Sequence, residues 1–441
     1  MATPSGVDTA DEFIHERQVA QPAADSVGLL RGAGLGAVRG LYVHVPFCFH
    51  KCHYCDFYSI VDDRDRQSRF TDRLASELRA LGSLGAAGSG ALASIFVGGG
   101  TPTLLAPAHW SKLLEAIAES FDLAGDLEFT VEANPETVTP ELMGVLRGGG
   151  VNRVSVGAQS FDPARLKVLE RWHEPASVGR AVAMAREAGI ERVNLDLIFG
   201  IPGQTVDGWV EDLGAALAIG PDHLSCYGLT YERGTAMTRK LELGRIQPID
   251  PDVEAGMYEA TMDRLDAAGF EHYEVSNWAR RVRATGRRGA ADGDPAGGSG
   301  DSGGETGDAV EGERCRHNLL YWRNGQWLAA GPGASGHVAG LRWKNLPHLG
   351  RYLAWAGPGA PIDPASVERL DPDASVGEQL MLRLRLLEGA PAPWIETHVH
   401  GDRLAAMQRH IDAGLLESDP RGVRLTRPGL LIADTVLADL L

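Results

Sequence analysis

Long apolar runs are missing from this chain: no stretch of its 441 residues approaches the ~18 uninterrupted apolar positions that a spanning helix requires, so an integral membrane segment is not expected. The first residues, with Asp8, Asp11 and Glu12, also lack the basic and apolar regions of a signal peptide, which points to a cytoplasmic protein. Positive charge is in deficit. Forty-two Lys and Arg against 59 Asp and Glu give a net charge of −17, a field that repels polyanions, so general nucleic-acid binding is not expected. Cysteine is scarce as well. Five residues cannot frame an oxidised scaffold, and three of them crowd between Cys48 and Cys55, which in a reducing compartment points to a metal or redox site. What remains, 44% hydrophobic and 23% charged, is a globular composition long enough for one large domain and a smaller one.

Residues 1–37 mix Ala, Gly, Pro and charges without a sustained period and read as a mobile extension. From Gly40 onward short β-branched runs alternate with stretches of helical period. The runs are 41–45, 94–97, 127–131, 153–156, 193–199 and 223–229; between the first two, Phe70, Leu74, Leu78 and Leu81 place one apolar face on a helix. Six strand-helix units give parallel strands with crossover helices, either as an open doubly wound sheet or as a full or partial barrel, an α/β fold in each case. Ligands of such folds gather at the C-terminal strand ends. Residues 283–313 hold ten glycines and no aromatic, so 282–313 reads as a disordered insertion. It separates Tyr273, Val275 and Trp278 from the run Arg316 to Trp322, which should lie nearby in space. Residues 38–281 then form the core, 314–363 a segment that closes the open side of a barrel, and 364–441 a smaller α+β domain. In the last of these a helix, a hairpin at 414–425 and a final helix to Leu441 make a winged-helix-like order, assigned to packing rather than DNA binding because the chain is acidic.

The segment Tyr42-Val-His-Val-Pro-Phe-Cys48-Phe-His-Lys-Cys52-His-Tyr-Cys55-Asp-Phe57 follows the first strand directly. Its Cys-x3-Cys-x2-Cys spacing offers three thiolates to a cubane and leaves one iron open to an exogenous ligand. Spacing alone also allows a zinc site completed by His50 or His53, or three free thiols. The second strand ends in Gly98-Gly99-Gly100-Thr101, where close approach of the backbone to a polar ligand would explain the glycines, although an ordinary tight turn would also do so. Glu132, Gln159 and Asp196 interrupt otherwise apolar strands. Such placement is costly unless the groups are paired, hydrogen bonded or facing a polar cavity.

Cysteine loop and glycine run together resemble the radical S-adenosylmethionine (SAM) superfamily over residues 40 to about 230. That resemblance implies a partial (β/α)6 barrel and a 4Fe-4S cluster held by Cys48, Cys52 and Cys55, whose remaining iron takes the amino and carboxylate groups of S-adenosyl-L-methionine. Within the superfamily the chain is similar to the group related to oxygen-independent coproporphyrinogen III oxidase. Tyr42, Gly99 and Glu132 fall where that group binds SAM, and Tyr54, Gly100, Thr101, Gln159, Arg171 and Asp196 where the oxidase contacts a second SAM. Phe57 stands where the oxidases carry a further cysteine, as it does in the heme chaperones of the group. His317-Asn318-Leu-Leu-Tyr321-Trp322 resembles the chaperones' HNxxYW heme motif, which makes His317 the candidate heme ligand. The resemblance thus implies a chaperone that binds heme as cargo and passes it to client hemoproteins, with radical oxidative decarboxylation of a porphyrinogen as the alternative. The sequence names neither the client nor the oligomeric state; a homodimer is among those it allows.

Overall fold

The computed structural model describes residues 25–33, 36–85, 90–281 and 312–441. All six expected strands are present: β1 Gly40–Val45, β2 Leu92–Gly99, β3 Leu123–Ala133, β4 Arg153–Gln159, β5 Arg192–Phe199 and β6 His223–Gly228. They pair in parallel in chain order. Because this order never reverses and such crossovers are right-handed, the intervening helices fall on one face of the sheet, which decides for the partial barrel over the doubly wound alternative. The crossover helices Gln67–Gly85, Pro107–Ser120 and Pro140–Gly148 accordingly pack side by side. Their starts are written locally: Pro107 and Pro140 occupy first-turn positions, and Thr139 caps the helix it precedes by accepting from the Leu142 N–H at 3.2 Å. The expected stripe Phe70, Leu74, Leu78 and Leu81 is fully buried.

The two faces of the parallel sheet differ in chemistry. Leu41, Val43, Ile95, Val97, Phe129, Val131, Val154, Val156, Leu195 and Leu197 are buried in the main core. The alternate positions are mostly polar. Registers align Tyr42 with Phe96, Ser94 with Glu128, Phe96 with Thr130, Glu132 with Ser155, Ser155 with Asn194, Gly157 with Asp196 and Asp196 with Ser225. An ordinary (β/α)8 barrel fills its interior with layers of Val, Ile and Leu. Here the concave face cannot be such a core and is a polar surface instead.

Further strands lengthen the sheet at both edges. β7 Phe270–Glu274 and β8 Asn277–Arg280 follow β6 antiparallel, with β7 outermost. On the other edge β9 Trp327–Ala330 joins β1 in parallel, and β10 Ser335–Val338, β11 Leu341–Lys344 and β12 Glu368–Arg369 continue antiparallel. The 314–363 segment, expected to close the barrel, therefore extends the sheet from β1. Among the described residues no strand joins its two ends.

A second departure lies within 1–37, read as a mobile extension. Ser26–Ala33 is a helix with Val27 and Leu30 buried, tied to the core by the Ser26 N–H donating to the Ala360 carbonyl at 2.9 Å. Three apolar residues in this short helix are enough to dock it, a signal that the charged residues before it obscure. Residues 1–24 of that extension and 282–311 of the expected insertion lie outside the described residues. The flanks of the insertion do meet: Tyr273 and Leu319 share a buried cluster against which Trp322 packs, and the Cys315 N–H donates to the Tyr273 hydroxyl at 3.3 Å. At the C-terminal end, helices Pro372–Arg385 and Gly401–Asp412 precede the hairpin Leu416–Asp419/Gly422–Leu425, as expected; Ala390–Pro391 adds a third strand to it. The final helix is broken into Arg427–Leu431 and Ala433–Ala438.

Candidate functional site

The cysteine loop leaves β1 at its C-terminal end and is pinned at both of its own ends, since Phe47–Cys48 pairs in parallel with Ile60–Val61 and the Ile60 N–H donates to the Pro46 carbonyl at 2.8 Å. Two further backbone bonds hold its middle, from the His53 N–H to the Leu169 carbonyl and from the Met237 N–H to the His53 carbonyl. The three sulfurs are partly buried. Burial raises the Cys48 thiol and pushes Cys55 up to about 11, so each would remain protonated without a nearby cation or metal. The arrangement does not favour a single zinc ion. His53 Nδ1 lies 2.8 Å from Lys240 Nζ, the His50 ring stacks on Trp172, and among the described residues no three or more His, Cys, Asp or Glu gather as a single ion would need.

Each glycine of the run at the end of β2 has a neighbour that a Cβ would strike. At Gly98 it would lie 2.9 Å from the Glu132 carboxylate, at Gly99 2.5 Å from the His44 ring, and at Gly100 2.6 Å from the Phe47 carbonyl oxygen. Gly99 also has φ +113°, a conformation that favours glycine. The glycines thus serve packing within the protein, which neither ligand approach nor a tight turn had anticipated. They let β2 approach the cysteine loop, with the Gly100 and Thr101 N–H groups donating to the Val45 and Phe47 carbonyls at 2.8 and 2.7 Å. Thr101 Oγ1 then comes within 3.7 Å of Cys48 Sγ.

Glu132 stands on the concave face beside this run, and its Oε2 accepts the Gly99 N–H at 3.0 Å. Burial, with Asp196 adding to it, pushes its carboxyl up to about 8. Asp196 is also raised by burial although Ser155 and Asn194 donate to it at 2.7 and 2.8 Å. Burial thus disfavours the ionised form of both acids on one wall, an arrangement that a cationic ligand would relieve. Gln159 ends β4 beyond a register shift with φ +61°, rare for a residue with a side chain. Arg171 reaches back from beyond the helix Pro163–Val168 to Cys52 Sγ at 3.7 Å and to the Gly157 carbonyl at 2.9 Å. Tyr54 packs instead against the buried cluster of Leu169, Ile198, Ile201, Leu229 and Met237.

Tyr42 carries the site inward. Its hydroxyl lies 3.0 Å from His44 Nδ1, its ring stacks on Phe96 with centroids 6.3 Å apart, and Phe96 stacks in turn on His317 at 5.4 Å. His317 sits on the helix Arg316–Trp322 and is buried, with Nδ1 3.0 Å from Ser94 Oγ and Nε2 2.8 Å from the Tyr321 hydroxyl. Both ring nitrogens are engaged, so the structure presents it as a satisfied core histidine rather than as an open ligand. Burial lowers its pKa to about 3 and keeps the ring neutral. Cys315 is buried at the start of the same helix, two residues before His317, with Sγ 3.4 Å from Glu128 Oε1, and Cys226 is a buried member of the main core. Sequence reasoning missed His44, Phe96, Thr130, Ser155, Asn194 and Ser225 as members of the wall. The period-2 alternation of polar residues in β2 to β6 was the available signal.

The radical SAM superfamily model matches residues 42–216, from β1 to the helix after β5. The heme chaperone HemW of Mycobacterium tuberculosis is 40% identical over 416 residues, 92% of this chain and 95% of that protein. The chain belongs to the HemW family. HemW of Bacillus subtilis is 30% identical over 90% of this chain and 98% of its own. Membership of the radical SAM superfamily implies a 4Fe-4S cluster and SAM. In fold, the HemW-family chain is similar to coproporphyrinogen III oxidase (HemN) from Escherichia coli, with a TM-score of 0.75 at 20% identity over 97% of this chain and 98% of that one.

Proposed function

We propose that this protein is a heme chaperone: Cys48, Cys52 and Cys55 hold a 4Fe-4S cluster, SAM binds alongside the glycine run and Glu132, and heme is carried against the wall that includes the HNxxYW helix for transfer to client hemoproteins in the cytoplasm. The observation that carries the reading is the continuous aromatic path Tyr42, Phe96, His317, Tyr321 and Trp327, which joins the residues assigned to SAM with the HNxxYW motif. Two ligands of different chemistry can therefore share one wall. The names of the relatives support the same cargo. No helix among the described residues is long and apolar enough to cross a membrane.

The donor set fits the groups it would hold. Three partly buried thiols on one pinned loop, and a buried Arg171 Nε without a partner beside them, suit an occupant that brings positive iron and accepting sulfide or carboxylate atoms. When bound, cluster and SAM supply one-electron chemistry to the site. The chain's own contributions are charge and orientation. The Gly99 N–H fixes the Glu132 carboxyl, while Ser155 and Asn194 fix that of Asp196, so both face a cationic sulfonium ligand without rotating.

Glu132 makes SAM affinity depend on pH. Protonated in the free protein below about 8, it must lose that proton to meet a cation as a carboxylate, so affinity should rise with pH and level off above that value. Asp196, Tyr42 and Tyr321 also bear on it, and burial raises all three. Calorimetry between pH 6 and 9 should show proton release on binding; Glu132→Gln should bind about tenfold more weakly at the upper end, losing a charge-assisted contact, with a shallower profile that retains only the titration of the SAM amino group. An equally steep profile in Glu132→Gln would assign the proton elsewhere.

Heme ligation through His317 Nε2 requires the Tyr321 hydroxyl to give way. Tyr321→Phe should therefore bind hemin at least as tightly as the parent, and His317→Ala should lose the low-spin heme spectrum. Unchanged spectra in His317→Ala would remove His317 as a ligand. Conversion of coproporphyrinogen III to protoporphyrinogen under anaerobic conditions would favour the oxidase alternative.

A further inference from the structure

Arg171 is aimed at the cysteine loop by its backbone. Glu170, just before it, has φ +55°, and the Arg171 N–H donates to the Leu166 carbonyl at 2.8 Å. This left-handed turn sends Arg171 inward while Trp172 stays exposed. The guanidinium is then fixed at two points: Nη1 donates to Cys52 Sγ at 3.7 Å and Nη2 to the Gly157 carbonyl at 2.9 Å. A Cβ at Gly157 would lie 2.7 Å from Arg171 Nη2 and 2.8 Å from Gln159 Nε2, so the missing side chain leaves room for the guanidinium in this position. The third nitrogen, Nε, is buried without a partner.

The other donors to the loop are weaker in charge. Thr101 offers Cys48 a neutral hydroxyl, and the Phe57 backbone N–H meets Cys55. Lys51 is exposed, and Lys240 is turned to His53, which also faces Glu170. Arg171 is thus the cation that combines direct contact with a cysteine sulfur and a locked position. The reduction potential of an iron-sulfur cluster rises with nearby positive charge and with hydrogen bonds to its sulfurs, since both stabilise the more negative reduced state.

Resting on the cluster reading above, we propose that Arg171 sets the reduction potential of the cluster, holding it more positive than the cysteine loop alone would by placing a fixed cation and an N–H donor against Cys52. This role is distinct from contact with a second SAM, because it acts with no SAM present. The couple is the one-electron reduction of the cluster, with dithionite supplying the electron in the test.

Anaerobically reconstituted parent, Arg171→Gln, Arg171→Lys and Gly157→Ala proteins are titrated without SAM while the electron paramagnetic resonance signal of the reduced cluster is followed. At the parent's midpoint, Arg171→Gln should show at least a tenfold lower ratio of reduced to oxidised cluster, about 59 mV for one electron. Arg171→Lys should shift less, and Gly157→Ala should move in the same direction by pushing the guanidinium off Cys52. An unshifted potential in Arg171→Gln at full iron content overturns the proposal. Should Arg171→Gln lose its iron, Arg171→Lys and Gly157→Ala decide, and the parent's potential in both overturns it equally. A parent without a cluster overturns the underlying reading as well.

Discussion

Arg153→Met is expected to destabilise the protein by about 3–5 kcal/mol, because it strands a carboxylate in a dry interior. Arg153 and Glu128 occupy adjacent strands with Nε and Oε2 3.2 Å apart, and their side chains are 1% and 0% exposed. The two atoms are close enough to pair although their alignment is not that of a hydrogen bond. Glu128 Oε1 also accepts the His317 N–H at 3.2 Å, while Arg153 Nη2 donates to the Glu313 and Arg314 carbonyls at 2.7 and 3.2 Å. The pair therefore clamps the chain where it enters the HNxxYW helix. Denaturant unfolding and limited proteolysis should both register the loss, with the first cleavages near 312–322. In the double variant Glu128→Leu/Arg153→Met, part of the stability should return, since apolar groups of similar volume often replace a buried pair at little cost. Additive losses in the double variant would show that the two charges do not act together.

Cys52→Ser is expected to abolish the cluster. A serine hydroxyl is a poor ligand for iron that favours thiolate, and the two remaining sulfurs cannot hold three corners of a cubane. Iron content should fall from about four per chain to near none, and SAM affinity should drop with it because the open iron is gone. The fold should persist, since the loop is pinned by backbone hydrogen bonds at Phe47, Ile60, His53 and Met237 rather than by its sulfurs. Full iron content in Cys52→Ser would remove Cys52 from the ligand set.

The strand-helix alternation was legible because each parallel strand buries one apolar face under helices, and Leu41, Val43, Ile95 and Val97 announce that face directly. The direction of winding was not, since periodicity carries no information about whether strand order reverses. The cysteine loop was legible as three thiols gathered on one loop at a strand end. The reason for Gly98, Gly99 and Gly100 was not, because it depends on Glu132, His44 and Phe47, brought to them by strand register. His317 marks the same boundary. Its sequence neighbours Tyr321 and Trp322 suggested a heme ligand, whereas Ser94, which engages its Nδ1, is 223 residues away in the chain. Arg171 shows what the fold adds: on sequence alone it reads as one arginine on the helix after Gln159, whereas that helix ends at Val168 and the positive φ of Glu170 and the absent side chain of Gly157 let Arg171 reach the loop.

Three thiols without their iron would leave a polar wall with nothing to organise it, so the cluster is the point on which the other assignments rest. Iron and sulfide analysis with Mössbauer spectroscopy on oxygen-protected protein tests it most directly. About four irons and as many sulfides per chain, in the quadrupole doublets of a 4Fe-4S cluster, are expected; one tightly held zinc with no sulfide would contradict it.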